Sequence, residues 1–338
     1  MHSQFLRPVS LLDSMLTEAN FKDLQELGYT VVTNVLSVAD CDKYMEEFSD
    51  WATDFPTWPK SRKGIIHGKQ TGHLSTTWQV RLKTKNVFSS IWKTDKLLTS
   101  FDSIAIGRPP EQGEEPFDDG NSNWLHLDQE PTRVGLNAYQ GAVYLEEACT
   151  EDWTLQVMDK SHKVFQQFFA ENPKAAEKSA DKKFYRLTKT NVKYFEKYGC
   201  KIVRVHVPKG GMVLWDSRVV HDNAQPKKDR QNPGRWRYVV FVSMTPAVWA
   251  SAEDIDLKQK AYYGSKMTNH WSSQGSTLMK ATLRTKEPPL EMPEVAKTPK
   301  AQKLAGVIAY DFEDGNPNGP TKPLTSQSVK RKRDELSD

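Results

Sequence analysis

The sequence predicts a mainly β protein, an antiparallel sandwich or barrel with flanking helices. Short segments with alternating apolar positions follow one another between residues 102 and 246, and turns containing glycine or proline join them. Strands and helices do not alternate as they do around a parallel sheet. The segment "GKQTG" at 68–72 follows no convincing strand, so it predicts no phosphate-binding loop.

The N-terminal region predicts a helix, a strand and a second helix. Thr17 is a candidate N-cap for the first helix, and Gly28 ends it. The β-branched segment 29–36 predicts a strand, and Ser37 is a candidate N-cap for the second helix. Apolar residues at helical spacing predict that this second helix faces the core: Val38, Cys41, Tyr44, Met45, Phe48 and Trp51.

Further along, residues 78–101 predict a strand followed by a helix, and residues near 163–199 predict a helical insert between strands. We therefore predict one domain over 1–285 and a Pro- and Lys-rich C-terminal extension over 286–338. The segment 307–312 is a candidate for docking on the body. The last stretch, from Asp314, is predicted to be disordered because it has too few apolar residues to offset the entropy of ordering.

Composition limits the class of protein. The net charge of +4 is mildly basic, and both signs are interspersed along the body, unlike the concentrated charge of a nucleic-acid-binding face. Three distant cysteines form no CxxC pair, which predicts neither a disulfide framework nor a zinc knuckle and favours a reducing compartment. Without an apolar leader or a long apolar run, the sequence predicts a soluble cytoplasmic protein with no membrane partner. "KRKR" at 330–333 is either a nuclear import signal or a solvated basic tail.

The segment "NWLHLDQE" at 123–130 carries the main candidate site. In a strand, the side-chain period of two places Trp124, His126 and Asp128 on one face. A histidine and a carboxylate on one face suit two metal ligands, which need a third. His221, which follows the apolar strand "MVLW", is the best candidate, and His206 is the alternative.

A purely structural interpretation also fits these residues. H-x-D occurs by chance, so His126 could be a hydrogen-bonded core histidine and Asp128 a turn cap. In the long loop 56–77, His67 and His73 are candidates for a pocket lid or, more weakly, for ligands. We interpret His2 and His270 as incidental.

Two arginines begin the strand segment "RWRYVVFVSM". Arg235 and Arg237 share one face of a strand there. An arginine that points into an apolar barrel needs an anionic partner, and a dicarboxylate would bind it bidentately.

The H-x-D motif, the distal histidine and the following arginine resemble the pattern of Fe(II)- and 2-oxoglutarate-dependent oxygenases. The strand segments over roughly 25–250, with the turn Asp159–His162 and the strand that begins at Gly210–Gly211, look most like the phytanoyl-CoA dioxygenase-like branch. Two positions depart from that branch: residues 151–154 replace a "DGG" turn, and Met212 stands where an acidic residue is common. Both bear on loop shape and substrate rather than on the three ligands.

This resemblance implies a double-stranded β-helix core of the jelly-roll or cupin type. It also implies that His126, Asp128 and His221 bind Fe(II), leaving positions for 2-oxoglutarate and O₂. Arg237 would hold the distal carboxylate of 2-oxoglutarate, with Arg235 as the close competitor. The candidates for pocket or surrounding residues are Trp124, Gln129, Tyr139, Gln140 and His162.

The resemblance implies oxidation of a substrate coupled to decarboxylation of 2-oxoglutarate to succinate. An aspartate at position 128 favours hydroxylation over halogenation, because it leaves no coordination position for a halide. The first hypothesis is a small-molecule substrate. The alternatives are a nucleobase or protein side chain, a catalytically silent module, and a zinc hydrolase that uses the same ligands. Oligomeric state stays open.

Overall fold

The computed structural model describes residues 16–59, 61–113, 115–120, 124–280 and 288–324. Two antiparallel sheets form the centre of this part of the chain. Its strands are β1 Tyr29–Val32, β2 Ile65–Ile66, β3 Leu97–Thr99, β4 Ile104–Gly107, β5 His126–Leu127, β6 Tyr139–Tyr144, β7 Thr154–Met158, β8 Tyr185–Arg186, β9 Ile202–Arg204, β10 Met212–Asp216, β11 His221–Ala224 and β12 Arg237–Pro246.

Helices cover the outer faces of the sheets. They are α1 Glu18–Glu26, α2 Val38–Thr53, α3 Ser75–Trp92, α4 Ser161–Glu171, α5 Pro173–Lys182, α6 Lys189–Lys197, α7 Ala252–Tyr263, α8 Glu294–Lys297 and α9 Pro299–Ala305. None of the helices in the described ranges is long and apolar enough to cross a membrane.

The strand order confirms the predicted double-stranded β-helix. The first sheet has the order β1-β10-β6-β12-β4-β2, with β3 paired to the end of β12, and the second has the order β8-β5-β11-β7-β9. From β4 to β7, and again from β10 to β12, successive strands alternate between the two sheets. This alternation closes the sheets into a jelly roll with one interior.

Side-chain alternation decides what faces that interior. In β12, Val239 and Phe241 belong to the cluster between the sheets, whereas Val240 and Val242 pack outward against the helices. By the period of two, Arg237 shares the inward face with Val239. Strand β10 follows the same rule, because Val213 and Trp215 point inward.

The helical insert covers the second sheet. Aromatic residues Phe165, Phe168 and Phe195 pack with Leu125 and Leu127, the outward neighbours of His126. The insert is mostly helical, as predicted, but it also contains β8, which pairs with β5 so that Arg186 lies opposite His126. The insert therefore holds the two-residue strand β5 from its outer side.

The prediction of a strand followed by a helix over 78–101 is wrong. The structure has one long helix, α3, followed by β3. The helix is enclosed by β12 on one side and the C-terminal helices α8 and α9 on another. Most of the surface of this helix is buried. Its sequence therefore lacks the polar stripe that marks an amphipathic helix and has buried β-branched residues such as Thr76, Thr77 and Val80 instead.

Residues 288–324 pack on the body. Ala296, Ala301 and Ala305 join a cluster with Trp78 and Phe101, and the segment 307–312 docks, as expected. The sequence predicts disorder from Asp314 onward. In the structure, polar contacts hold residues 314–324 on the body. The basic run at 330–333 lies outside the described residues.

A buried lysine provides the main polar contact. The Lys96 ammonium, 5% exposed, donates to Asp314 Oδ1 at 2.6 Å, Asn318 Oδ1 at 2.7 Å and the Asn316 carbonyl at 3.2 Å. Three oxygens thus surround one cation, which fixes the loop that hydropathy alone predicts to be loose.

Replacing Lys96 by Met should release this segment. The variant keeps the length of the side chain but leaves three acceptors without their donor, so we expect a loss of about 1–3 kcal/mol of local stability. Hydrogen exchange measured peptide by peptide should show faster exchange over 314–324. The matched control, exposed Lys43→Met, should leave that segment protected, and equal protection in both variants would contradict the assignment.

Candidate metal centre

Pairing of two short strands brings two histidines together. His126 of β5 lies directly opposite His221 of β11, and their ring centroids are 4.3 Å apart. Asp128 follows β5 and turns its carboxylate toward both rings. Its Oδ1 lies 3.5 Å from His126 Nε2 and its Oδ2 3.3 Å from His221 Nε2. One ligand atom from each residue lies within 4.8 Å of the others.

Backbone carbonyls orient both rings. His126 Nδ1 lies 2.9 Å from the carbonyl of Trp124, and His221 Nδ1 lies 3.0 Å from the carbonyl of Val219. Because a carbonyl can only accept, each Nδ1 carries the proton and donates it. Each Nε2 then faces Asp128, where a protonated ring would donate to the carboxylate and a neutral ring would present its lone pair to a metal ion.

The charges of the three residues are coupled. Burial, then the nearby His221 ring, lowers the pKa of His126 to about 4. Burial opposes ionisation of Asp128, but His270, His126 and His221 together hold its pKa well below its usual range. Burial likewise opposes the charged form of His221, yet the hydrogen bond with Asp128 raises its pKa. The site therefore favours an ionised carboxylate beside a positive charge.

A cavity of about 160 Å³ opens in front of the three residues. Its described lining comprises Ile65, His67, Asp102, Trp124, His126, Asp128, Gln140, Leu155, Trp215, His221, Asp222, Asn223, Phe241, Asn269, His270 and Met279. Gln140 donates to Asp128 Oδ2 at 3.1 Å, and Trp124 stacks on His126 with centroids 4.3 Å apart. Aromatic side chains and a few convergent polar groups are the usual composition of a ligand site.

Arg237 lies inside the barrel near this cavity. It is 2% exposed, and its Nη2 donates to Asn223 Oδ1 at 2.9 Å and to the Tyr144 hydroxyl at 3.2 Å. Its Nε and Nη1 are buried without a hydrogen-bond partner, and it forms no ion pair within the described part of the chain. Asn223 is two residues beyond His221 on β11, a rise of about 7 Å.

Three of the other predicted residues line the cavity. Trp124 and Gln140 contact His126 and Asp128 as described above. His67 lies on the opposite side, with Nδ1 3.0 Å from the Ser103 hydroxyl.

Four predicted residues lie elsewhere. Gln129 donates to the carbonyls of the turn 133–135, and Tyr139 packs against Trp92 on the outer face of the first sheet. His162 lies against the carbonyl of Gln25. His73, predicted as a lid, is fully buried between Trp78 and Phe101. Tyr139 lies on β6, where the period of two turns it away from the cavity that its neighbour Gln140 faces. Turns or helix starts interrupt the strands near the other three, so these side chains do not reach the cavity either.

The expectation that Arg235 shares a face with Arg237 is wrong. Strand β12 begins only at Arg237, and Arg235 forms ion pairs with Asp152 at 3.0 Å and Glu147 at 3.1 Å. His206, the alternative third ligand, also lies beside Glu147, 3.0 Å away, on the surface. His2 lies outside the described residues.

The sequence did not indicate three cavity residues. His270, interpreted as incidental, places Nδ1 3.7 Å from Asp128 Oδ2. Asp102 and Asn269 line the same wall. They come from a turn and from the segment after α7, neither of which carries a strand period or a motif spacing that could have found them.

Two basic residues of the 60–70 loop are engaged at the site. Arg62 covers the outer face of Trp124, 3.9 Å from the ring centroid, and Lys63 pairs with Asp222 at 2.8 Å. Both charges are directed toward the body of the protein.

No protein-family model matches the chain. Ava biosynthesis cluster protein O from Aspergillus versicolor is 27% identical over 255 residues, which cover 70% of this chain and 80% of that protein. Among solved structures, GIG2 (DUF1479) from Candida albicans superposes with a TM-score of 0.60 at 14% identity, covering 96% of this chain and 83% of that one. HygX from Streptomyces hygroscopicus, solved with nickel and 2-oxoglutarate bound, has a TM-score of 0.47 at 13% identity, covering 68% and 87%.

The two sheets and their connections form a double-stranded β-helix, and the superposition on GIG2 shows that the two proteins share a fold.

Burial of His73 should make folding sensitive to acid. Burial lowers its pKa from 6.5 to about 3, so the unfolded chain binds a proton that the folded protein excludes. The His73 contribution to stability is therefore complete above pH 6.5 and is lost as the pH falls toward 3. In His73→Gln, urea unfolding across this range should show a slope that is smaller by up to about 1.4 kcal/mol per pH unit. Parallel slopes for the two proteins would contradict this.

Proposed function

We propose that this protein is an Fe(II)- and 2-oxoglutarate-dependent dioxygenase that oxidises a small organic substrate while 2-oxoglutarate is decarboxylated to succinate. The observation that carries the proposal is the combination of the His126–Asp128–His221 set with a buried, unpaired arginine beside the same cavity. Either feature alone is also compatible with a purely structural role. Together they fit one ion and one dicarboxylate.

The three residues suit Fe(II). Two imidazole nitrogens and one carboxylate form the set typical of non-haem iron oxygenases, which leaves coordination positions open. The hydrogen bonds from Nδ1 to the Trp124 and Val219 carbonyls direct each Nε2 toward the ion. Gln140 would keep the Asp128 carboxylate oriented through its hydrogen bond to Oδ2. When bound, the iron would supply the activation of O₂, which no side chain of the site can provide.

Arg237 suits 2-oxoglutarate. A guanidinium that is 2% exposed is costly unless an anion accepts its hydrogen bonds, and Nε and Nη1 have none. A guanidinium with two free donors can bind a carboxylate bidentately. Asn223 and Tyr144 hold the third nitrogen and so orient the guanidinium. The distance of about two residues along β11 leaves room for a short dicarboxylate between Arg237 and the iron.

A small substrate is supported by two observations. The relative from Aspergillus versicolor is named as a biosynthesis cluster protein, and this name favours a small-molecule substrate. In addition, the basic residues Arg62 and Lys63 are paired with Trp124 and Asp222, so neither charge is available to a nucleic-acid backbone in this arrangement. Salt-sensitive binding to DNA or RNA would favour the macromolecular alternative instead.

Anaerobic titration with Fe(II) and 2-oxoglutarate tests the centre directly. The wild-type protein should develop the visible metal-to-ligand charge-transfer band, and Asp128→Ala and His221→Ala should lose it because each removes a ligand. His206→Ala is the control, since His206 lies at the surface beside Glu147, and it should keep the band. A folded, metal-loaded wild type without the band would overturn the proposal. Succinate formation in air would in addition exclude the silent module.

Arg237→Gln should weaken 2-oxoglutarate binding without abolishing metal binding. Loss of a buried, charge-assisted contact should raise the Kd of 2-oxoglutarate at least about 30-fold, equivalent to about 2 kcal/mol. Calorimetric titration of the metal-loaded protein measures this. Arg237→Lys should recover part of the affinity, because it restores the charge but not the two parallel hydrogen bonds. Arg235→Gln should bind as the wild type does, and the reverse ranking would assign the anchor to Arg235.

A further inference from the structure

The part of the cavity wall that lies outside the ligand set is polar. His67 follows β2, Asp102 lies between β3 and β4, and Asn269 and His270 belong to the segment after α7. The ligand set, in contrast, comes from β5 and β11 of the second sheet and the turn after β5. A substrate held in the cavity would therefore contact both the centre and these residues.

Asp102 is the one carboxylate of the described lining that neither a cation nor the ligand set accounts for. Asp222 pairs with Lys63 and also accepts from the backbone of Trp124, and its side chain has no exposed surface. Asp128 belongs to the ligand set. Asp102 accepts a hydrogen bond from the adjacent Ser103 N–H at 2.6 Å and forms no ion pair with any described residue.

Two buried cations lie behind this carboxylate without reaching it. Arg81 donates to the carbonyl of Gly72 at 2.6 Å, and Lys258 donates to the carbonyl of Thr99. Neither approaches an acidic side chain within 4.0 Å in the described part of the protein. Burial raises the pKa of Asp102 to about 7, with the Asp128 carboxylate adding to the shift and the distant Arg81 opposing it. A partner inside the cavity would stabilise its charged form.

The charges of the loaded site leave Asp102 without a cation in direct contact. Fe(II) and Arg237 would contribute three positive charges, and Asp128 with 2-oxoglutarate three negative ones, so these cancel. No lysine or arginine is among the lining residues that the structure describes. The aromatic rings of Trp215 and Phe241 also line the cavity, and the faces of such rings attract cations.

We infer that Asp102 binds a protonated nitrogen of the substrate, so that the substrate belongs to the class of small organic amines. This inference rests on the proposed oxygenase function. Asp102 acts as a specificity-determining residue, because it would anchor the substrate from the cavity wall without binding the iron. His270 and Asn269 flank the anchor. His270 Nε2 is buried without a partner and is suited to a second polar group of the same substrate.

Three compounds of nearly the same shape test the inference: benzylamine, benzyl alcohol and benzoate. They would be titrated against wild-type protein loaded with Zn(II) and 2-oxoglutarate, with binding followed by saturation-transfer NMR. A charge-assisted hydrogen bond should make benzylamine bind roughly tenfold tighter than benzyl alcohol, and benzoate should bind weakest. Equal affinities, tighter binding of benzoate, or no measurable binding of the amine would overturn the inference.

The variant Asp102→Asn tests whether Asp102 causes the preference for the amine over the alcohol. The variant keeps the shape of the side chain and removes its charge, so the preference for the amine over the alcohol should disappear. Asp50→Asn, which removes an exposed carboxylate on α2, is the matched control and should keep the preference. A preference that persists in Asp102→Asn would place the amine elsewhere. The wild-type comparison needs no variant and stands even if Asp102→Asn does not fold.

The oxygenase function and the substrate class can fail separately. Fe(II) and 2-oxoglutarate binding is measured by the charge-transfer band, which requires no substrate. A band together with absent amine preference would reject only the substrate class, whereas an absent band would reject the oxygenase itself.

Discussion

The pairing of β5 with β11 is the constraint on which the site depends. It places His126 directly opposite His221, and Asp128 turns back between them. Strand β5 has only two residues, so its own hydrogen bonds are too few to hold it. The insert supplies the support: β8 pairs with its other edge, and the aromatic cluster around Phe165 and Phe168 packs beneath Leu125 and Leu127. The helical insert lies outside the barrel, yet it helps to orient the metal-binding residues.

Several buried polar atoms without partners lie at or beside the cavity. Arg237 has two buried nitrogens without partners, and Trp124, Trp215 and His270 each have one. In a stable protein, most buried polar atoms are hydrogen-bonded, because an unpaired one costs about 1–3 kcal/mol. A bound ligand would complete the hydrogen bonding of those that face the cavity. The same criterion separates Arg237, which has two unpaired nitrogens, from Arg235, which forms ion pairs with Asp152 and Glu147.

The barrel and the surrounding segments contribute different parts of the site. Strands of the jelly roll carry His126 and His221, which are proposed to bind the ion, Arg237, which is proposed to bind the dicarboxylate, and Asn223, which orients Arg237. The facing wall comes from turns and from the segment after α7, which includes His270. Such segments tolerate sequence change more readily than barrel strands do. This arrangement keeps the cofactor groups rigid, and the substrate wall can vary without disturbing them.

Local sequence signals were enough to predict several elements. The period of two identified the main strands of the jelly roll, the caps at Thr17 and Ser37 located α1 and α2, and H-x-D with His221 and Arg237 located groups that the structure brings near one cavity. The remaining features depend on tertiary contacts. Alternation assigns a side chain to a face but does not say which strand or helix lies opposite, so the predicted positions of Gln129, Tyr139, His162 and His73 were wrong. For the same reason, the sequence did not predict that His270 and Asp102 line the cavity. It also did not predict α3, because a helix that is buried on several faces lacks the amphipathic pattern. Contacts between segments that are distant in sequence produce no periodic pattern in the chain, so only the tertiary structure decides them.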